Sequence, residues 1–259
     1  MCKDNENIKS NDEWENDGVE EIINLANNGD VSAQYDLGLC YQYGDSLEQS
    51  YKKAVFWFKK AAEQGHASAQ YELGVCYEYG EGVKRDYDKA LYWYEKAAEQ
   101  NEASALCNLG FCYECGKGVE KDDVKALEYY KKSAALCDWR ALANIGSCYE
   151  DGRGVEQNYN TAVQYYAVAA AHEDSYAQWR LGYCYEHGSG VEKNPEKAVE
   201  LYLKSAQDYD EDAQLALAEC YRRGFGTEQD LDQAYFWYKT AAENGNKEAK
   251  KCLKKYFGE

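Results

Sequence analysis

Apolar and small residues recur along this chain with a fixed period of 36 residues, and each period contains two helical stripes. In the clearest copy, Ala69, Leu73 and Tyr77 have the four-residue spacing that places side chains on one face of a helix. A glycine-rich turn follows at residues 80–82, and a second stripe of alanines and aromatics covers residues 90–98. The pattern predicts two helices joined by a short turn.

The period divides most of the chain into six units of equal length. Each unit carries a cysteine with a tyrosine directly after it and a leucine or isoleucine three residues before it. The six cysteines are Cys40, Cys76, Cys112, Cys148, Cys184 and Cys220. A fixed period of about 20–50 residues is the signature of a repeat array. We therefore expect an all-α solenoid with repeats 30–65, 66–101, 102–137, 138–173, 174–209 and 210–245.

The two ends of the chain differ from the repeats. Residues 1–17 are charged and rich in asparagine, which predicts a disordered acidic tail. Residues 18–29 carry a helical stripe and are predicted to form a capping helix. Residues 246–259 begin another helix whose outer side is rich in lysine, a polar face suited to the C-terminal cap of one continuous solenoid, 18–259.

Two columns of the repeat indicate how its helices begin and pack. The residue before each second helix is Ser50, Asp86, Asp122, Asn158, Asn194 or Asp230, and all six are good N-cap residues. Gly74 lies within the first helix of its unit, where the missing side chain would allow close approach of a neighbouring helix.

The order of recurring residues within the unit resembles the Sel1-like repeat, a relative of the tetratricopeptide repeat. The residues that carry this resemblance are Ala69, Leu73-Gly74, Tyr77, Gly80-x-Gly82-Val83, Asp86, Lys89-Ala90, Trp93-Tyr94 and Lys96-Ala97-Ala98. The resemblance implies a right-handed superhelix of antiparallel helix pairs, with the first helix of each pair (helix A) lining a concave face. It also implies a scaffold or adaptor. The first unit departs from the pattern at Asp45-Ser46, and the sixth at Ala218 and Thr227.

Charge and cysteine content limit the partners and the cellular compartment that we expect for this protein. The formal charge is −18, from 47 acidic and 29 basic residues, which disfavours nucleic acid and anionic membranes as partners. No apolar run is long enough to span a bilayer. The six-cysteine column has a spacing too wide for disulfides, so packed thiols in a reducing, cytoplasmic compartment are expected. A secreted effector that engages a host protein, or a form lipid-anchored at Cys2 after loss of a leader, remains an alternative.

Catalytic and metal-binding motifs are weak. Ser50-x-x-Lys53 has the form of a β-lactamase motif, and some cysteine-rich Sel1-like proteins resemble such enzymes, yet both residues also fit the repeat pattern and no companion motif is present. Cys112-x-x-Cys115 is a lone pair, and Cys107 could add a ligand. We expect a non-enzymatic protein without a cofactor or metal, and leave a β-lactamase-like hydrolase and a thiol or zinc role for Cys107, Cys112 and Cys115 as alternatives.

The positions of helix A that face away from the core predict a binding groove. They combine aromatic residues with a column of glutamates that ends in two arginines, which favours a protein or peptide partner with basic and apolar side chains. Each set also has an explanation that involves no partner. The aromatic residues could pack between repeats, and the glutamates could form a solvated face. Homo-oligomers remain open. The predicted site consists of Tyr35, Tyr43, Tyr71, Glu78, Tyr79, Phe111, Glu114, Glu150, Trp179, Tyr183, Glu186, His187, Arg222 and Arg223.

Overall fold

The computed structural model describes residues 11–258, with side chains from residue 18 onward, and this part of the chain is helical and contains no strand. The predicted all-α fold is confirmed. The helices are α1 (Asn11–Asn27), α2 (Val31–Tyr43), α3 (Tyr51–Glu63), α4 (Ala67–Tyr79), α5 (Tyr87–Ala98), α6 (Ala103–Cys115), α7 (Asp123–Ala134), α8 (Trp139–Asp151), α9 (Tyr159–Ala171), α10 (Ser175–His187), α11 (Pro195–Gln207), α12 (Glu211–Arg223), α13 (Leu231–Glu243) and α14 (Lys247–Phe257).

The first helix is longer than the sequence pattern indicated. It begins at Asn11, so part of the segment expected to be a disordered tail is helical. The rest of that expected tail, residues 1–10, lies outside the described residues.

The chain divides into two compact units, one ending at Lys121 and the other beginning at Asp122. In the first unit α2 packs against α3 and α4 against α5, and α3 joins these pairs by packing against α4. The second unit repeats this arrangement with the pairs α8–α9, α10–α11 and α12–α13. Each unit is therefore a stack of helix pairs, as expected for an α-solenoid.

One aromatic ring from the second helix of each repeat (helix B) is fully buried in the core. These fully buried rings are Phe58, Tyr94, Tyr130, Tyr166, Tyr202 and Tyr238. Burial of each ring contributes on the order of 1.5–3 kcal/mol. The close approach predicted at Gly74 is confirmed, because a Cβ added there would lie 2.6 Å from the Tyr94 ring.

The predicted caps are present with one exception. Five of the six N-cap side chains accept a backbone N–H of helix B, as Asp86 does from Lys89 at 3.1 Å. Ser50 begins α3 without such a bond. In the first repeat Ser46 has a φ of 59° and takes the left-handed conformation that Gly82 supplies in the second.

The cysteine column forms part of the core. Cys76, Cys112, Cys148, Cys184 and Cys220 are buried, and Cys40 is half-buried. Desolvation raises the pKa of Cys76, Cys112, Cys184 and Cys220 to about 12. These four thiols are therefore protonated packing residues, as expected from their place beside the core tyrosines.

Candidate partner-binding face

Two tyrosine rings at the same repeat position are the most exposed part of the predicted site. Tyr43 ends α2 and Tyr79 ends α4, and each is 63% exposed. Phe111 of α6 is 38% exposed, and the ammonium of Lys117 lies 4.4 Å from its ring centroid. All three rings belong to the first unit and are open to a partner.

A carboxylate that the sequence reasoning missed lies near Tyr43. Glu72 of α4 is half-buried and accepts a 3.5 Å hydrogen bond from Gln42. Burial raises its pKa, and burial together with the charge of Glu72 raises the pKa of Tyr43. The position just before the repeat leucine was the available signal. It is polar in five of the six units and differs in charge between them: Asp36, Glu72, Asn108, Asn144, Arg180 and Ala216.

Two predicted aromatics of the first unit turn toward the core instead. Tyr35 and Tyr71 are half-buried, and each ring centroid lies 6.0 Å from a core ring, that of Phe58 or Tyr94. Burial, followed by the charge of Glu72, raises the pKa of Tyr35 to about 12. These two rings mainly pack within the repeats, which is the simpler alternative considered for the aromatic column.

The glutamate column is likewise engaged within the fold. Glu78 and Glu150 are only 3% and 6% exposed. The core tyrosine of the same repeat donates its hydroxyl to each, Tyr94 to Glu78 at 2.7 Å and Tyr166 to Glu150 at 2.6 Å.

The same bond recurs at Glu186, which accepts the hydroxyl of Tyr202 at 2.8 Å. Glu114 is half-buried in the last turn of α6. At Glu78 and Glu150 the glutamate column is therefore buried, and these two carboxylates are exposed neither to a partner nor to solvent.

Cations from the following repeat complete these buried pairs. Lys117 donates to Glu78 at 2.9 Å, and Arg180 donates to Glu150 through its Nε at 3.1 Å. Arg223 lies 3.8 Å from Glu186. Lys117 and Arg180 were not among the predicted site residues, because neither lies at the helix A positions that predicted the groove.

The second unit presents a different surface at the predicted positions. Tyr183 is 38% exposed, and its ring stacks on His187 at 4.0 Å. Trp179 is half-buried, with the Arg180 guanidinium 5.1 Å from its ring centroid.

Of the two arginines, only one is open to solvent. Arg222 is held by a 2.6 Å hydrogen bond to Glu219 and lies over the Tyr256 ring, whereas Arg223 is exposed. The accessible members of the predicted set in this unit are thus Tyr183, His187 and Arg223.

The residues considered for catalysis and metal binding make contacts that belong to the packing of the repeat. Ser50 begins helix α3, its N–H donates to the carbonyl of Tyr41, and the Lys53 ammonium lies 4.8 Å from the Tyr41 ring centroid. Cys107 and Cys112 are buried and Cys115 is exposed. Over the described part of the chain, no three His, Cys, Asp or Glu side chains are grouped as metal ligands would be.

None of the helices between Asn11 and Phe257 combines the length and the apolar character needed to cross a membrane.

Solved structures with the same arrangement come from several bacteria. A Sel1 repeat protein of Oxalobacter formigenes is 32% identical, with a TM-score of 0.78 over 90% of this chain and 97% of that one. A protective antigen with this repeat fold from uropathogenic Escherichia coli is 37% identical, with a TM-score of 0.69 over 93% of this chain and 52% of that one. An immunity protein of Pseudomonas aeruginosa, 23% identical with a TM-score of 0.58 over 83% and 81% of the two chains, shares the fold alone.

No curated protein matches the sequence. The profile of the Sel1 repeat matches six consecutive segments: 31–66, 67–102, 103–136, 139–174, 175–210 and 211–246. Each boundary of these segments lies one residue from the corresponding boundary of the six predicted units. The chain therefore belongs to the Sel1 repeat family.

Proposed function

We propose that the protein is a non-enzymatic interaction scaffold whose first unit binds a peptide segment carrying basic and apolar side chains. The observation that carries this proposal is the pair Tyr43 and Tyr79, which expose most of their rings at the same place in consecutive repeats. Large aromatic side chains are enriched among the residues that dominate binding energy. Their exposure in register suits a partner that lies along the helix A side of this unit.

The charge expected of the partner follows from Glu72. A half-buried carboxylate attracts a cation more strongly than one in open water, because the surrounding dielectric is lower. Glu78 is already engaged by Tyr94 and Lys117, so Glu72 is the carboxylate of this surface that a partner would meet. The net charge of −18 adds a long-range attraction for a basic segment.

The accessible residues of the second unit supply a second contact in this proposal. Tyr183 and His187 form a stacked pair, and Arg223 is exposed. The stacked aromatic pair suits an apolar side chain, and exposed Arg223, which also lies 3.8 Å from Glu186, suits a carboxylate. We expect this surface to add to the affinity of a longer partner, and to leave the basic preference of the first unit unchanged.

Peptide display against the full chain tests the proposal. Selection from a random 12-residue library should enrich peptides that combine lysine or arginine with aromatic or aliphatic residues. One enriched peptide, labelled with a fluorophore, then serves as the probe. The double substitution Tyr43→Ala and Tyr79→Ala should weaken its binding roughly tenfold or more, because two exposed rings each contribute on the order of 1–2 kcal/mol at an interface.

A matched control is available on helix B. Phe56 and Tyr92 are exposed to a similar extent but lie on α3 and α5. Their double replacement by alanine should leave peptide binding within about twofold. Equal losses in the two double variants, with unchanged circular dichroism, would refute a binding surface on helix A.

A further inference from the structure

A buried glutamine of helix A holds neighbouring helices together in several repeats. Gln70 donates to the carbonyl of Ala62 on the preceding helix at 3.1 Å. Its own side-chain carbonyl accepts a 2.8 Å hydrogen bond from Gln100, which follows helix B. The same double arrangement occurs at Gln34, with Gln64 as donor at 2.7 Å.

The sixth repeat, in the second unit, completes this arrangement with asparagine. Asn244 donates to Gln214 at 2.9 Å, and Gln214 donates to the carbonyl of Ala206 at 3.1 Å. Gln64, Gln100 and Asn244 are equivalent positions, separated by multiples of the 36-residue period. An amide donor at this place is therefore the normal partner of the buried glutamine.

The fifth repeat lacks this donor. Its glutamine, Gln178, is 6% exposed, and its Oε1 has no hydrogen-bond partner. The residue at the place of Gln100 and Asn244 is Asp208, whose carboxylate can only accept hydrogen bonds. A buried acceptor left without a donor is destabilising, so this repeat lacks a bond that stabilises the first, second and sixth repeats.

Gln178 lines an open cleft of about 500 Å³. Gln178 and Asp208 contribute to its wall together with Glu173, Lys204 and Gln207. The only cation among them, Lys204, forms a 2.7 Å hydrogen bond with Glu200. The wall of the cleft thus combines two carboxylates with a glutamine whose side-chain carbonyl has no donor, a set that favours a ligand carrying hydrogen-bond donors.

We propose that this cleft binds a guanidinium group, supplied by an arginine side chain of a protein partner. A guanidinium carries five N–H donors in a plane and no acceptor, so it can bridge the Gln178 carbonyl and the Asp208 carboxylate. Glu173 adds negative charge to the same wall. The site consists of other residues than the tyrosine surface of the first unit and does not depend on it.

Nuclear magnetic resonance on the full chain tests the site directly. The side-chain amide signals of Gln178 report on binding, and N-acetyl-arginine methylamide is the probe. Saturable movement of these signals at millimolar concentration is expected. Asp208→Asn supplies the donor found in the sixth repeat. It should raise the melting temperature and lower the affinity for the probe roughly tenfold or more.

The sixth repeat provides the reverse experiment. Asn244→Asp removes the donor to Gln214 and should create guanidinium binding there, at the expense of melting temperature. Agmatine, run in parallel, represents a small molecule that carries a guanidinium. Tighter binding of capped arginine supports a protein side chain as the source, and tighter binding of agmatine overturns that part of the assignment. Three results would overturn the guanidinium site. The Gln178 signals could fail to move, Asp208→Asn could bind the probe as tightly as the unsubstituted chain, or N-acetyl-lysine methylamide could bind as tightly as the arginine probe.

Discussion

The hydroxyl of Tyr94 donates a 2.7 Å hydrogen bond to the carboxylate of Glu78, and both side chains are buried. The first repeat differs at both positions, with Phe58 in place of the tyrosine and Gln42 in place of the glutamate. A ring without a hydroxyl is thus matched with a side chain that carries no charge. The hydroxyl and the carboxylate are thus absent together in the first repeat, which indicates that the tyrosine hydroxyl serves as a donor to the buried carboxylate.

Tyr94→Phe should lower the free energy of unfolding by about 1–3 kcal/mol, because it leaves Glu78 with one donor fewer in a buried place. The midpoint of urea unfolding, followed by circular dichroism, measures the loss. The double variant Tyr94→Phe and Glu78→Gln reproduces the pair of the first repeat and should recover part of it. Strictly additive losses would show that the two side chains are not coupled.

Ser50→Asp should stabilise the protein by about 0.5–1 kcal/mol. Ser50 is the one N-cap of the six helix B positions whose side chain accepts no backbone N–H, and aspartate accepts one at the equivalent place in the second repeat. Thermal unfolding monitored at 222 nm measures the gain. Asp86→Ala is the opposite control, with an expected loss of about 1 kcal/mol; a neutral result for both would mean that these caps do not limit stability.

Tyr209→Gly should also stabilise the protein, by about 0.5–1 kcal/mol. Tyr209 is exposed and has a φ of 64°, a left-handed conformation that glycine adopts without steric cost. Differential scanning calorimetry measures the change.

The same place in the first repeat supplies the inverse substitution. Gly65 has a φ of 92°, and a Cβ added there would meet nothing within 4 Å, so Gly65→Ala tests the backbone alone. A similar loss of stability is expected. A gain with Gly65→Ala would contradict the backbone explanation for both positions.

Alkaline pH should destabilise the fold through its buried thiols. Desolvation raises the pKa of Cys76 from an ordinary value of 9.0 to about 12, and those of Cys112, Cys184 and Cys220 to the same range. The unfolded chain releases these protons near pH 9 while the folded chain retains them. The contribution of these thiols to stability is therefore constant below pH 9 and falls as pH rises toward 12, by up to about 1.4 kcal/mol per pH unit for each thiol.

Unfolding midpoints between pH 7.5 and 10.5 measure this slope, and Cys76→Ala should make it shallower while lowering stability at neutral pH. In the native state Cys137, which is exposed, should react with a thiol reagent at pH 8, whereas the four buried thiols should react only on unfolding. Rapid native labelling of Cys76 would disprove its protonated, buried state.

Much of the fold was predictable because a repeat protein states its pattern six times. The N-cap column, the close approach at Gly74 and the burial of the cysteine column each followed from one position read across equivalent units. The start of α1 was not predictable in this way, because residues 11–17 have no counterpart among the repeats and no apolar stripe.

The candidate site was only partly predictable. Tyr43, Tyr79, Phe111 and Tyr183 are exposed as expected of a binding surface. Tyr35 and Tyr71 occupy helix A positions chosen by the same reasoning, yet they pack toward Phe58 and Tyr94. Helical spacing gives the direction of a side chain to within part of a turn, and the neighbouring helix decides which rings it covers.

The sequence by itself determined the family, the helix pairs and the columns that make up the core, because periodicity is a property of the chain alone. Only the tertiary structure decided which charged and polar groups remain available. Glu78 accepts hydrogen bonds from Tyr94 and Lys117, whereas the side-chain carbonyl of Gln178 has no donor. Hydrogen bonds between residues about 16 to 39 positions apart depend on how helices meet, and no single column of the repeat records that.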